Sequence, residues 1–489
     1  MVSTTAAAAV PDEYRGTDKL LFGIVLAVIT FWLFAQTTLN VAPTMRDDLR
    51  LSESLTNIAV SITALFSGIF VVVAGSLADR LGRVRLTYIG LALGVLGSLL
   101  IAISPANTVV FLMAGRIIQG LSAACIMPAT LALVKAYFDG KERQRALSFW
   151  SMGSWGGSGV AALFGGLVAY SLGWRWIFWI SILVAVVSFL LIRGTPESKV
   201  EINPESRFDW YGFAAFITAM VAVNIVIGQG ATLGWLNPAI VTLATVFVIA
   251  AVVFFKVESK NANGFVDLTL FKNKTYAGAT LSNFLLNGAA GTLLVALALV
   301  QQAAGLSSLQ SGLLTVGYLV AILSTIRVGE KLLQRMGARK PMLIGCAITA
   351  TGILLTTFTF LLARQYMIVA FVGFTLFGVG LGFYATPSTD AALSNVPDNK
   401  AGAASGIYKM ASSLGAAFGV AISAALFTAL SELDTNLTAM SDLFLGRTDN
   451  FAIRFAAAAA LLFNVLMVII AIIAIIVTVP KDDHLSPRA

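Results

Sequence analysis

Residues 75–86 read GSLADRLGRVRL. An apolar run from Ile58 to Ala74 precedes them, and another begins at Leu86. Asp79, Arg80, Arg83 and Arg85 are packed between the two runs. Charge concentrated in a short turn between apolar segments is what a loop at a membrane surface looks like.

The composition agrees. Of 489 residues 58% are apolar and only 11% charged, with a mean hydropathy of +0.88. A soluble domain carries about 25% charged residues. A core cannot hide this much apolar surface without a polar exterior to match, so the solvent is a bilayer. In lipid only helices and closed barrels satisfy the backbone. The apolar runs are about 20 residues long rather than alternating ten-residue strands, so the expected class is all-α.

The net charge is +8. Most cations sit in short loops, so the excess reports topology and not a nucleic-acid partner. Cys125 and Cys346 each lie inside an apolar run, and His484, the one histidine, lies in the polar tail. No disulfide framework, zinc site or other cofactor is expected from these. No GxxxxGK[ST] loop occurs. Residues 1–19 include Asp12, Glu13 and Asp18, and the apolar run from Leu20 is too long for a signal-peptide core. This reads as a tail followed by a first span.

Apolar runs predict about fourteen spans, at roughly 20–41, 55–77, 86–104, 107–132, 147–170, 174–193, 209–229, 236–256, 276–300, 307–327, 341–362, 367–390, 401–428 and 453–479. Even parity places both termini on one side. If that side is cytoplasmic, inner loops and tails hold about 24 Lys and Arg and the outer loops about six. The asymmetry runs the whole length and makes the 75–86 turn a cytoplasmic loop between spans 2 and 3.

A repeat lies underneath. Shifted by 255 residues, the loop reappears as EKLLQRMGARKP: Arg80 falls on Arg335, Gly82 on Gly337, Arg85 on Lys340 and Gly90 on Gly345. Asp79 falls on Gln334, so the copy lacks the acid. Both copies follow the second span of a six-span block, provided spans 7 and 8 are an insertion. The expected organisation is a tail (1–19), a six-helix bundle (20–194), a linker (195–208), two inserted helices (209–256), a linker (257–275), a second six-helix bundle (276–479) and a tail (480–489). Repeats meeting at a midplane site are how alternating access is built.

The motifs carry a family resemblance. GSLADRLGRVRL resembles the loop 2–3 signature of the major facilitator superfamily. LMAGRIIQGLSAA (112–124) resembles its span 4 signature, and SMGSWGGSGVAALFGG (151–166) the span 5 signature of its antiporter branches. Fourteen spans point to the drug:proton antiporters of the QacA and EmrB kind. VITFWLFAQ, AVSITALFSG, RIIQGLSAACIMPATL, YATPSTD and GIYKMAS are similar to the Nor-type quinolone and multidrug exporters. The likeness covers nearly the whole chain.

The resemblance implies a function: proton-coupled export of amphipathic drugs, fluoroquinolones among them, by alternating access in the cell membrane. The partners are drugs, protons and lipid, with no nucleic acid, and the chain works as a monomer. The alternative is a facilitator of the same fold exporting a native metabolite or lipid. A membrane enzyme would need a catalytic cluster that the sequence does not display, and a channel has no use for the repeated loop.

Gly75, Asp79, Arg80, Gly82, Arg83 and Arg85 are the expected conformational latch. A carboxylate among arginines can hold helix ends together or sit against a helix N-terminus. By the resemblance Asp79 faces the start of span 13, near Ala401. The plain alternative makes the arginines inside markers that hold anionic lipid.

Arg116 lies deep in span 4, where a cation is costly unless paired. The resemblance implies proton coupling, shared with Asp79 and Asp390. The structural alternative is an arginine binding the carbonyls of span 1. Gly153, Gly157, Ala161 and Gly165 recur every fourth residue, with Gly166 alongside, and read as a helix-packing stripe. Ala161 and Ala162 stand where the antiporter signature has Gly-Pro, so a proline hinge is missing.

Span 1 reads FAQTTLNVAP, with Gln36 where related exporters have an acid. Acids within the spans are nearly absent, Asp390 being the clearest. Gln36, Asn40, Trp155, Asn283 and Asn287 are candidate substrate contacts, as are Tyr318, Tyr384, Tyr408 and Lys409. Each alone is more often a helix–helix hydrogen bond or an interfacial aromatic than a ligand contact. An apolar, aromatic pocket with few polar fixtures is what promiscuous binding needs.

Overall fold

Each expected span coincides with a helix in the computed structural model, which describes residues 14–200, 209–259, 268–306, 308–431, 444–445 and 450–481. In chain order these are α1 (Asp18–Leu49), α2 (Glu53–Leu81), α3 (Arg83–Ala102), α4 (Val110–Tyr137), α5 (residues 140–171) and α6 (Arg175–Ile192). Then come α7 (Trp210–Leu233), α8 (Pro238–Glu258), α9 (Lys274–Ala304), α10 (Ser311–Met336), α11 (Arg339–Thr356), α12 (Ala363–Ser394), α13 (Ala401–Ser431) and α14 (Phe451–Thr478). Among the described residues twelve helices are long and apolar enough to cross a membrane. The other two expected spans are α5, interrupted by a π-helical turn, and α11, which begins on Arg339 and Lys340.

Helix ends follow local chemistry. Thr17 caps α1 by accepting from Leu20 N, and Ser52 caps α2 by accepting from Leu55 N. Arg50 ends α1 in the left-handed region, at φ 53°. Gly82 lies at φ 112° and serves as both the end of α2 and the start of α3, a conformation that glycine alone adopts without strain. Its counterpart in the repeat, Gly337, also lies at positive φ.

Large apolar side chains remain on the outside of many helices, Phe255, Val253 and Val477 among them. For a soluble protein that surface would be a liability, whereas lipid makes it neutral.

The described residues form two compact units. The first runs to Ala222 and takes in Thr245–Asn273 and Ala392–Met410. The second comprises Val223–Ala244, Lys274–Ala391 and the chain from Ala411. In the first, Gly97 of α3 and Gly115 of α4 each hold a backbone oxygen where the other's Cβ would stand. In the second, Gly352 of α11 and Gly373 of α12 do the same. Gly352 is Gly97 shifted by 255, so the repeat is one of helix packing as well as of sequence. Gly90 and Gly345 obey the same shift, pressing α3 onto α4 and α11 onto α12. Small residues let backbones touch, which is how helices associate in lipid without a hydrophobic driving force.

Two helices run furthest past their expected ends. α1 continues to Leu49 and α10 to Met336. The extension of α10 corrects the reading that Asp390 is nearly alone as an acid within the spans: Glu330 belongs to α10 and is buried. It is paired with Arg327 and accepts from Gln334 Nε2 at 3.1 Å. A charged turn satisfied along one helix face can continue the helix where a hydropathy run ends.

Candidate functional site

The turn that opened the sequence is built into the first unit by its own charges. Asp79, 6% exposed, accepts from the backbone N–H of Gly402 at 2.9 Å on Oδ1 and of Ala403 at 3.0 Å on Oδ2. These N–H groups belong to the first turn of α13, which lacks intrahelical partners and carries the positive end of the helix dipole. Arg83 donates to the same Oδ1 from Nη2 at 2.9 Å and from Nε at 3.1 Å. It also donates to Ser198 Oγ at 3.1 Å and to the carbonyl of Asp398. Arg83 is 1% exposed, so it is not a lipid-facing marker, whereas Arg85 is exposed and Arg80 half-buried.

Gly75 explains the motif's first glycine. A Cβ there would run into the carbonyl of Gly402, and one at Gly402 would run into that of Gly75. Gly406, one turn further on, meets Val71 O in the same way. α2 and the start of α13 therefore touch through bare backbone, and that contact brings Asp79 within reach of the α13 amides.

Glu197 was not singled out from the sequence. Its carboxylate accepts from Val84 N and Arg85 N, both at 2.9 Å, and caps the start of α3. A side chain at Gly82 would collide with it. The available signal was an isolated acid between Pro196 and Ser198, just beyond span 6.

Arg116 is buried in α4 and fully engaged in donating. Its partners are Ala35 O (2.9 Å), Ala59 O (2.9 Å), Val60 O (3.1 Å), Thr38 Oγ1 (3.0 Å) and Gln119 Oε1 (2.9 Å). The guanidinium thus reads the carbonyls of α1 and α2, which is the arrangement the structural alternative described.

The stripe on α5 packs against α1. Gly157 sits against Trp32 and Leu33, Gly153 against Val25, and Gly165 against Thr37 and Val41. Thr37 Oγ1 donates to Ala161 O at 3.1 Å. Gly166 is off this face: it is exposed, and a Cβ there would meet nothing. The Gly-Pro hinge is missing at Ala161-Ala162; nearer its start α5 carries a π-helical turn at Met152–Gly156, and α1 carries one at Thr30–Ala35. Such turns break the regular hydrogen-bond ladder and recur at functional sites. Trp155 is on the first, half-buried, and Gln36, half-buried, follows the second. Asn40 is exposed.

Lys409 and Tyr408 are buried near the start of α13. The ammonium lies over the Trp150 ring, 4.1 Å from its centre, and 5.8 Å from that of Tyr408. An aromatic face stabilises a desolvated cation. Trp150 donates in turn to Thr130 Oγ1 at 3.0 Å.

The second unit holds the other polar candidates. Tyr384 Oη is 2.7 Å from Ser282 Oγ and accepts from Ser388 Oγ at 2.9 Å. Asn283 donates to Ser412 Oγ at 2.6 Å, and Asn287 to Asn283 Oδ1 at 2.9 Å. Tyr318 stacks on Phe377 with ring centres 5.5 Å apart. Asp390 is buried near the end of α12. Among the described residues no three His, Cys, Asp or Glu side chains gather as a metal site would require.

A helical membrane protein with a repeated charged loop and paired glycine contacts between helices has the build of a secondary transporter. The chain belongs to the Major Facilitator Superfamily, whose profile matches residues 20–420 and again 279–489. It is 50% identical over 472 residues to "Quinolone resistance protein NorB" of Staphylococcus aureus strain MRSA252, covering 96% of this chain and 98% of that one. The protein of the same name from strain COL matches to the same extent. Among solved structures, the proton:xylose symporter XylE has a TM-score of 0.61 at 17% identity, over 93% of this chain and 95% of that one. The human organic anion transporter MFSD10 (TETRAN) has a TM-score of 0.55 at 15% identity, over 92% and 98%. At those identities the likeness is one of fold.

Proposed function

We propose that this chain exports amphipathic drugs, fluoroquinolones first, in exchange for protons by alternating access. The observation that carries the reading is half identity, along almost the whole length, to a protein named for quinolone resistance. The site chemistry supports it. Lys409 lies over the Trp150 and Tyr408 rings, and an aromatic setting with few polar fixtures favours amphiphiles held without strict geometry.

In this reading the chain is a monomer in the cell membrane with both termini cytoplasmic, as the loop charges favour. Residues 20–194 and 276–479 are the two rocking bundles, with 209–256 inserted between them. Asp79, with Gly75, Gly82 and Arg83, closes the cytoplasmic side when the outside is open. Arg116 and Asp390 contribute to proton coupling. Gln36, Trp155, Asn283 and Lys409 contribute to the substrate path. One inward proton at about 150 mV supplies roughly 3.5 kcal/mol, enough for a few hundred-fold gradient of a zwitterion.

The test is the purified protein in liposomes, with an imposed pH gradient and a labelled fluoroquinolone. Uphill accumulation that collapses with the gradient is expected. Facilitated movement without accumulation, or no movement of any drug in a panel, would turn the reading towards export of a native metabolite or lipid.

A further inference from the structure

α12 ends at Ser394 and α13 begins at Ala401. Asp79 holds the second of these ends, and Lys135 holds the first. Near the end of α4, Lys135 donates from Nζ to Leu393 O at 2.7 Å and to Val396 O, and its ammonium lies 3.4 Å from Asp398 Oδ1. It is buried, 6% exposed, although it belongs to the most soluble of side-chain types.

The last carbonyls of a helix have no intrahelical donor and carry the negative end of its dipole. A compact ammonium with three donors fits carbonyls that converge on a point. Asp79 is the mirror case, an anion on the free amides of a helix start. The segment between α12 and α13 is thus gripped at both ends by charges of opposite sign, each matched to the pole it meets. Arg83 and Arg143 add to the grip, the first through Asp398 O and the second through Ser394 Oγ at 2.8 Å.

We propose that Lys135 is a second gating residue. With Asp79 it makes a two-pole clasp on the 392–403 segment, and both poles must release before the cytoplasmic side opens. This rests on the transport reading above. It goes further in assigning a conformational role to a span 4 lysine and in making the two opposite charges one unit. A lysine that merely caps α12 would stay in place throughout the cycle, so removing it would leave the opening equilibrium unchanged.

Opening can be read directly at Ser405, which is fully buried on α13. Ser405→Cys is placed in the full-length chain with Cys125→Ser and Cys346→Ala, and reconstituted in nanodiscs. The rate of labelling by a hydrophilic maleimide is then measured. Asp79→Asn and Lys135→Met are each expected to raise that rate about five- to tenfold. The double variant should exceed the faster single by less than about twofold, because two contacts acting as one unit are not additive. If Asp79→Asn accelerates labelling and Lys135→Met does not, Lys135 is a static cap and the proposal falls while the latch reading stands. Neither variant accelerating would overturn both. Effects that multiply in the double variant would overturn the coupling. Should Lys135→Met fail to fold as a monodisperse protein, Lys135→Gln keeps two donors without the charge, and a parental rate for it overturns the proposal equally.

Discussion

Gly75 and Gly402 lie back to back, each with its carbonyl oxygen where the other's Cβ would be. No side chain fits between α2 and the start of α13 without moving one of the two helices. Gly75→Ala and Gly402→Ala are therefore expected to cut uphill efflux about tenfold by disfavouring the closed cytoplasmic side. The melting temperature should change by only a few degrees, since the rest of the first unit is untouched. Efflux in inverted vesicles, read beside a detergent melting curve, checks this. Parental efflux in both variants would mean that the contact is incidental.

Asp79→Asn keeps the side-chain shape and one acceptor oxygen but loses the charge that meets Arg83 and the α13 amides. A charge-assisted hydrogen bond is roughly twice as strong as a neutral one. Transport should fall several-fold while expression in the membrane stays near the parental level. Unchanged drug efflux in vesicles would end the latch assignment.

Arg116 donates to five acceptors on α1, α2 and its own helix. Removing the donor strips buried neutral acceptors of a charge-assisted hydrogen bond, at about 1–3 kcal/mol for a polar group left unsatisfied. Arg116→Ala should lose folded yield before it loses coupling, and Arg116→Lys, with three donors and no planar fork, should fall between. Size-exclusion profiles and melting curves measure the first effect. A well-folded, stable Arg116→Ala protein that still binds drug but no longer concentrates it would show that proton coupling is the residue's main role.

Substrate charge offers a fourth test. With Gln36 half-buried just after the π-helical turn of α1, and no acid at that position, a dication entering low dielectric meets no fixed counter-charge there. Fluoroquinolone-like zwitterions should be exported faster than bis-quaternary compounds, and Gln36→Asp should move the preference towards cations. Parallel efflux assays with one zwitterion and one dication decide it. A dication exported faster by the parent chain would refute this account of the cavity.

Much of the architecture was legible because membrane helices announce themselves one at a time. Lipid requires about 20 apolar residues for each crossing, so spans appear as composition. The loop charge bias appears the same way, and the 255-residue shift was visible in a handful of glycines and arginines. Those glycines then proved to be contacts, Gly90 and Gly345 pressing equivalent helices together. Boundaries were less legible. α10 runs past its apolar stretch because Glu330, Arg327 and Gln334 satisfy one another along the helix. Hydropathy cannot register a pairing of that kind.

Composition and motif are enough to make this an all-helical membrane protein with a repeated charged loop, and to mark Asp79, Arg83 and Arg116 as charges needing partners. Who the partners are depends on how the helices pack. Arg83 and Arg85 look alike in the sequence, yet one is sealed against Asp79 and Ser198 and the other is exposed. Lys135 and Glu197 drew no attention, because their partners are backbone groups at helix ends far along the chain, 258 residues away for Lys135 and 113 for Glu197. Every residue carries the same backbone amide and carbonyl. Which of them stand unpaired at a helix end, and which side chain reaches them, is a matter of packing in three dimensions that no spacing of letters encodes.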